Sequence, residues 1–94
     1  PFQGRTIPAY IGGQFVTAGD SFPNISPVDG ATLAPVHLSG KTEVDSAVNA
    51  ARAALHGPWG RMPVRDRVAL LRAVANGIRA RFDDFVAAEV ADTG

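Results

Sequence analysis

Apolar residues recur at spacings of three and four along residues 63–82, PVRDRVALLRAVANGIRARF. Val64, Val68, Leu71, Ala75, Ile78 and Phe82 mark one face, and Leu70 and Val74 widen it. At 3.6 residues per turn this arc covers roughly 160°, which predicts a core-facing helix. Pro63 suits its first turn, where a missing N–H costs nothing. A second helical pattern, Val44, Ala47, Val48, Ala51 and Leu55, begins near Lys41 and stops at Gly57-Pro58. Thr42-Glu43-Val44-Asp45 opens it like a capping box, with Asp45 where Glu is commoner. A third helix is expected from Phe85 to about Asp92, capped by Asp83 or Asp84. It carries Phe82, Phe85, Val86, Glu89 and Val90 on one side, and Gly94 closes it as a left-handed cap.

The first forty residues follow another rule. They hold eleven of the seventeen Gly and Pro residues, which predicts hairpins and loops. Residues 1–9 show no periodicity and read as an extended arm. Gly12-Gly13, between Ile11 and Phe15-Val16, marks a tight hairpin. Residues 21–25 form a short strand stopped by Pro27, and Asp29-Gly30 is a turn signal. Residues 32–38 alternate but contain Pro35, as an edge strand or extended segment does. The expected architecture is one small α+β unit over 1–94, with hairpins and loops in 1–40 and three helices in 41–94.

Charge narrows the partners. Lys plus Arg number 9 and Asp plus Glu number 9, so the formal net charge is zero. This argues against nucleic acid or an anionic membrane as a bulk electrostatic partner. No cysteine is present, so there is no disulfide framework, thiol nucleophile or thiolate metal site in this chain, as suits a cytoplasmic protein. No apolar run approaches membrane-spanning length, and the start lacks a signal-peptide pattern. The chain opens at Pro1 and closes at Gly94 directly after a helical pattern, so both ends read as cut.

Little in the chain points to chemistry. His37 and His56 lie on different elements without metal-ligand spacing, and each reads as a surface histidine. The glycines form neither GxGxxG nor a P-loop, and no serine has a recognisable base partner. Trp59, in the connector 57–60, reads as a packing anchor clamping two helices. Gly77 is explained by close packing of its helix against a neighbour. Arg67 falls inside the apolar arc, and Glu89 is its expected ion-pair partner. One oxygen-rich constellation remains: backbone carbonyls at Asn24 and Ile25 with the carboxylate of Asp92, a set that suits a hard cation.

Several stretches in order resemble one family. Tyr10-Ile11-Gly12-Gly13, Phe15-Val16, Phe22, Ile25-Ser26-Pro27 and Gly30 resemble the opening hairpin of NAD(P)-dependent aldehyde dehydrogenases, with Ser26 in place of the usual Asn. Val44-Asp45, Ala47-Val48, Ala50-Ala51-Arg52 and Ala54 resemble the next helix, and Trp59 takes the tryptophan place. Arg67, Leu70-Leu71, Ala75 and Ile78 resemble the helix after that, and Glu89 with Asp92-Thr93-Gly94 resembles its "E…DTG". Residues 57–60 and 80–83 look most like the 2-hydroxymuconic/2-aminomuconic semialdehyde dehydrogenase branch.

The resemblance implies an amino-terminal segment of an enzyme in which a cysteine attacks an aldehyde, hydride passes to NAD or NADP, and a glutamate-activated water hydrolyses the thioester. Those residues lie beyond this stretch in the family, so no catalytic or cofactor-binding residue is expected here and the segment alone is expected to be inactive. The resemblance also implies a structural Na or K ion at Asn24, Ile25 and Asp92. It further implies that the segment is part of the Rossmann-like cofactor-binding domain, its helices packed against one face of the sheet that the rest of the chain supplies, and it implies a small-molecule aldehyde substrate and a homodimer or homotetramer. The competing expectation is a free-standing helical interaction module, which would hide its apolar face with its own residues.

Overall fold

Two adjacent glycines set the first element. Strands β1 (Ala9–Ile11) and β2 (Gln14–Val16) pair antiparallel, with Ile11 opposite Gln14. Between them Gly12 and Gly13 take φ of 57° and 82°, the two left-handed positions of a two-residue hairpin turn. The computed structural model describes residues 5–94; the start of the extended arm expected over 1–9 lies outside them. The arm's later part is tied down: Ile7 N–H donates to Pro35 O (2.7 Å), and His37 N–H donates to Ile7 O (2.9 Å).

β3 (Ser21–Phe22) and β4 (Val36–His37) make a second antiparallel pair. The strand expected over 21–25 is shorter because Pro23 interrupts it; Ile25 resumes as a single bridge to Thr32. Pro35 leaves two residues of the expected edge strand in regular pairing. Asp29 Oδ1 accepts the Ala31 N–H at 3.0 Å, and Ser26 Oγ accepts the Val28 N–H at 3.2 Å, which fixes the turn between them.

The helices follow: α1 (Lys41–His56), α2 (Pro58–Arg61), α3 (Val64–Ala80) and α4 (Phe82–Thr93). The three expected helices are present, and the Trp59 connector is itself a single helical turn. The capping residue of α1 is Gly40, whose N–H donates to Glu43 Oε2 at 2.8 Å, so the expected Thr42–Asp45 box is replaced by a contact two residues earlier. α4 starts at Phe82, with Arg81 alone separating it from α3. Asp83 and Asp84 therefore sit inside its first turn, where the helix dipole favours them, and do not cap it. Asp84 instead accepts from Arg81 Nε at 3.1 Å. Gly94 ends α4 with φ 79° and an N–H donated to Val90 O.

Other expectations are corrected. Arg67 makes no ion pair with Glu89; its guanidinium carbon lies 6.0 Å from the centre of the Trp59 ring. The aromatic face of α2, not the carboxylate of α4, is the group the guanidinium lies over. Trp59 does join two helices in this way, though 37% of it stays exposed. A β-carbon at Gly77 would meet nothing within 4 Å, so no neighbour in this chain requires glycine there. His37 is not a surface histidine: among the described residues, it and Ser26 are the buried polar ones. Pairing of β4 with β3 and with Ile7 covers it.

No hydrophobic residue among those described is buried. Leu71 is 61% exposed and Phe82 63%, although both lie on the apolar face of their helices. The chain measures 48 × 34 × 17 Å with a radius of gyration of 16.6 Å, against about 12 Å for a compact domain of this length. Its accessible surface is 7351 Å², against roughly 5,200 Å² for a folded monomer of this mass. The large side chains that the sequence pattern marks as core-facing are among the exposed ones. A self-contained helical module would have hidden them.

Candidate functional site

The turn after β3 and the end of α4 meet. Asn24 is half-buried, and its Nδ2 donates to Asp92 Oδ1 at 3.1 Å, joining residues 68 apart in sequence. The Asn24 main-chain oxygen accepts the Leu33 N–H at 2.7 Å, and the Ser26 N–H donates to Ala31 O at 2.8 Å; these bonds flank the Ile25–Thr32 bridge. A β-carbon built at Gly94 would stand 3.2 Å from Val28 Cγ2, so the α4 terminus rests on the following turn. Of the three residues the sequence nominates, Asn24 and Asp92 are thus in direct contact, and Ile25 is next to Asn24 in the chain.

The contact seen at this junction is an amide donor on a carboxylate; the oxygens a cation would take are the Asp92 carboxylate and the main-chain carbonyls of Asn24 and Ile25. Asp92 brings one formal negative charge, and Asn24 and Ile25 bring neutral main-chain carbonyls. Each carbonyl oxygen has two lone pairs, so the bond from Leu33 does not exhaust Asn24 O. Asp92 keeps Oδ2 beyond its bond to Asn24. The donor set fits a hard cation of low charge. Among the described residues, no group of three or more His, Asp or Glu side chains is placed to hold a metal ion.

Two carboxyls elsewhere are perturbed. Asp29 is held below the usual aspartate value, first by the Ala31 N–H and then by the Ser26 hydroxyl. Glu43 is held below the usual glutamate value, first by the Gly40 N–H, then by its own backbone N–H, with His37 adding to both. Each serves a turn or a helix start; neither faces a cleft. The sequence reading missed the His37–Glu43 approach, since a lone histidine in a two-residue strand carries no periodic signal.

Comparison with known proteins decides the family. The sequence profile of the aldehyde dehydrogenase family matches residues 15–94. The chain belongs to the aldehyde dehydrogenase family. It is 50% identical over 92 residues to the 2-hydroxymuconic semialdehyde dehydrogenase of Pseudomonas sp. (strain CF600), which covers 96% of this chain and 19% of that protein. The corresponding enzyme of Pseudomonas putida is 47% identical over 92% of the chain and 18% of its own length. The 2-aminomuconic 6-semialdehyde dehydrogenase of a Pseudomonas sp. is 41% identical over 90% and 17%. The chain therefore spans under a fifth of the length of these relatives. The order of motifs from Tyr10 to Gly94, more than any single one, is what the resemblance captured. No helix among the described residues is long and apolar enough to cross a membrane.

Proposed function

We propose that this chain is the amino-terminal segment of a cytoplasmic enzyme that oxidises an aldehyde, of the muconic semialdehyde type arising in aromatic catabolism, to its carboxylate with NAD or NADP. The observation that carries this reading is the 50% identity over 92 residues to a 2-hydroxymuconic semialdehyde dehydrogenase. In this reading the segment is scaffold. The exposed apolar faces of α1, α3 and α4 rest on a Rossmann-like cofactor-binding domain formed by the remainder of the protein. The nucleophile and the dinucleotide contacts belong to that remainder, and the intact enzyme is a homodimer or homotetramer.

The Asn24–Asp92 junction is, on the same reading, a structural cation site. Asp92 balances the charge of a sodium or potassium ion, and the carbonyls of Asn24 and Ile25 complete the oxygen set. The bond from Asn24 Nδ2 holds the Asp92 carboxylate against the Asn24 side chain. The ion would tie the end of α4 to the turn after β3 and take no part in the reaction.

The test is turnover. The intact enzyme, given 2-hydroxymuconic semialdehyde and NAD, reduces the dinucleotide, whereas residues 1–94 alone do not. Reduction by the purified 94-residue chain, or none by the intact enzyme with any semialdehyde, contradicts the proposal.

A further inference from the structure

The charged side chains of α4 are all acidic: Asp83, Asp84, Glu89 and Asp92. Asp84 accepts from Arg81, and Asp92 accepts from Asn24. Asp83 lies in the first turn, where the helix dipole favours negative charge. Glu89 has no such account. It lies past the first turn, and its side chain makes no ion pair or hydrogen bond among the described residues. Only its main-chain oxygen is engaged, by the Thr93 hydroxyl at 2.8 Å.

The position of this carboxylate is unusual. Residues three and four apart are neighbours on a helix surface, so Glu89 stands beside Phe85 and Val86, and Phe82 lies farther back along the same face. These three large apolar side chains are exposed. The cations of the neighbouring helix end are committed elsewhere: Arg67 lies over the Trp59 ring, Arg79 donates to Asn76, and Arg81 donates to Asp84. Covering the apolar face strips water from the carboxylate as well, and a dehydrated carboxylate without a partner is strongly unfavourable. The face is therefore not a plain greasy one; it asks for a positive group at one point.

We infer that the remainder of the enzyme sets a guanidinium or ammonium group against Glu89, between its own apolar contacts with Phe85 and Val86. The inference rests on the reading that α4 packs on that remainder, which makes up more than four-fifths of the length of the relatives. The pair forms a charge-assisted hydrogen bond sheltered by the flanking rings. It also sets register. Apolar contact is non-directional, so Phe82, Phe85 and Val86 alone would allow α4 to slide or rotate, whereas one carboxylate meets one cation in a single placement of the helix.

Melting of the intact enzyme at neutral pH tests the pair. Glu89→Gln keeps the size and removes the charge, and is expected to lower Tm by roughly 4 °C or more. Glu89→Lys sets like charges face to face and lowers it further; if that variant does not fold, Glu89→Gln decides alone. The loss in Glu89→Gln persists in an Arg67→Ala background, because the partner lies outside residues 1–94. Hydroxyl-radical footprinting of the same enzyme, folded and urea-unfolded, shows Phe85 and Val86 protected in the folded state. If they are protected but Glu89→Gln melts level with wild type or above it, the covering surface brings no cation and this inference alone fails. If they are modified equally in both states, nothing covers α4 and the reading beneath the inference fails with it. A loss that vanishes in the Arg67→Ala background makes Arg67 the partner and also overturns the inference.

Discussion

Gly60 tests how α2 is seated, because the space around it is measurable. A β-carbon at this position would lie 1.5 Å from the Leu55 carbonyl oxygen and 2.5 Å from its carbonyl carbon. Both are backbone atoms in the last turn of α1, so no side chain can rotate away. Reaching even 3.0 Å requires α2 to move by about 1.5 Å against α1. That shift pulls on the Arg61 Nη1 bond to His56 O (2.7 Å) and on the Arg61 N–H bond to Gly57 O (3.2 Å). It also carries Trp59 off the guanidinium of Arg67. Overpacking of this kind costs about 1–3 kcal/mol. For a domain of 150–250 residues this corresponds to a fall in Tm of roughly 2–12 °C. The assay is calorimetric or fluorescence-detected melting of the intact enzyme carrying Gly60→Ala beside wild type. If Gly60→Ala melts within about 1 °C of wild type, the reasoning from the close approach is wrong.

Four further outcomes follow from the same geometry. Gly77→Ala in the 94-residue chain raises the helical circular dichroism signal, because alanine favours a helix interior by about 1 kcal/mol and nothing in this chain obstructs its methyl; a loss of signal counts against this. Arg67→Ala lowers stability by about 0.5–1 kcal/mol and leaves kcat unchanged, as loss of an exposed cation–π contact does; a coupling to Glu89 in a double-mutant cycle would restore the ion pair the sequence suggested. Asp29 and Glu43 have folded-state pKa values below their unfolded ones, so the stability they contribute is present above the usual carboxylate range and is lost as pH falls through the lowered values. Asp29→Asn and Glu43→Gln flatten that acid limb of the stability profile, and an unaltered limb excludes these two groups as its source. Asp92→Ala lowers Tm and removes any dependence of Tm on potassium or sodium; a cation dependence that persists places the ion elsewhere.

The parts of the fold legible in the sequence are those with a local cause. Gly12-Gly13 fixes the hairpin because only φ > 0 closes a two-residue turn with the right twist. α1 and α3 are long enough for their apolar period to show. α2 is not: four residues, PWGR, make one turn and no period. Contacts between distant residues were harder to read. Arg67 meets Trp59 because α2 turns its ring back over α3, which no spacing within α3 encodes. His37 was read as exposed because its burial comes from Ile7 and β3, not from its neighbours. Asn24 and Asp92 were grouped as oxygen donors from their residue types and again by the family resemblance, but the direct Asn24 Nδ2–Asp92 bond across 68 residues has no local signal. The exposed apolar faces were legible throughout, since a helix pattern records the surface it is meant to bury even when the covering surface is absent.

The central claim is that α3 presents its apolar face to the remainder of an aldehyde dehydrogenase. Hydroxyl-radical footprinting of Leu71, Val74 and Ile78, in the intact enzyme and in residues 1–94 alone, tests it most directly. The account predicts strong protection of all three in the intact enzyme and ready modification in the isolated chain. Equal modification in both would show that the rest of the protein does not cover this face.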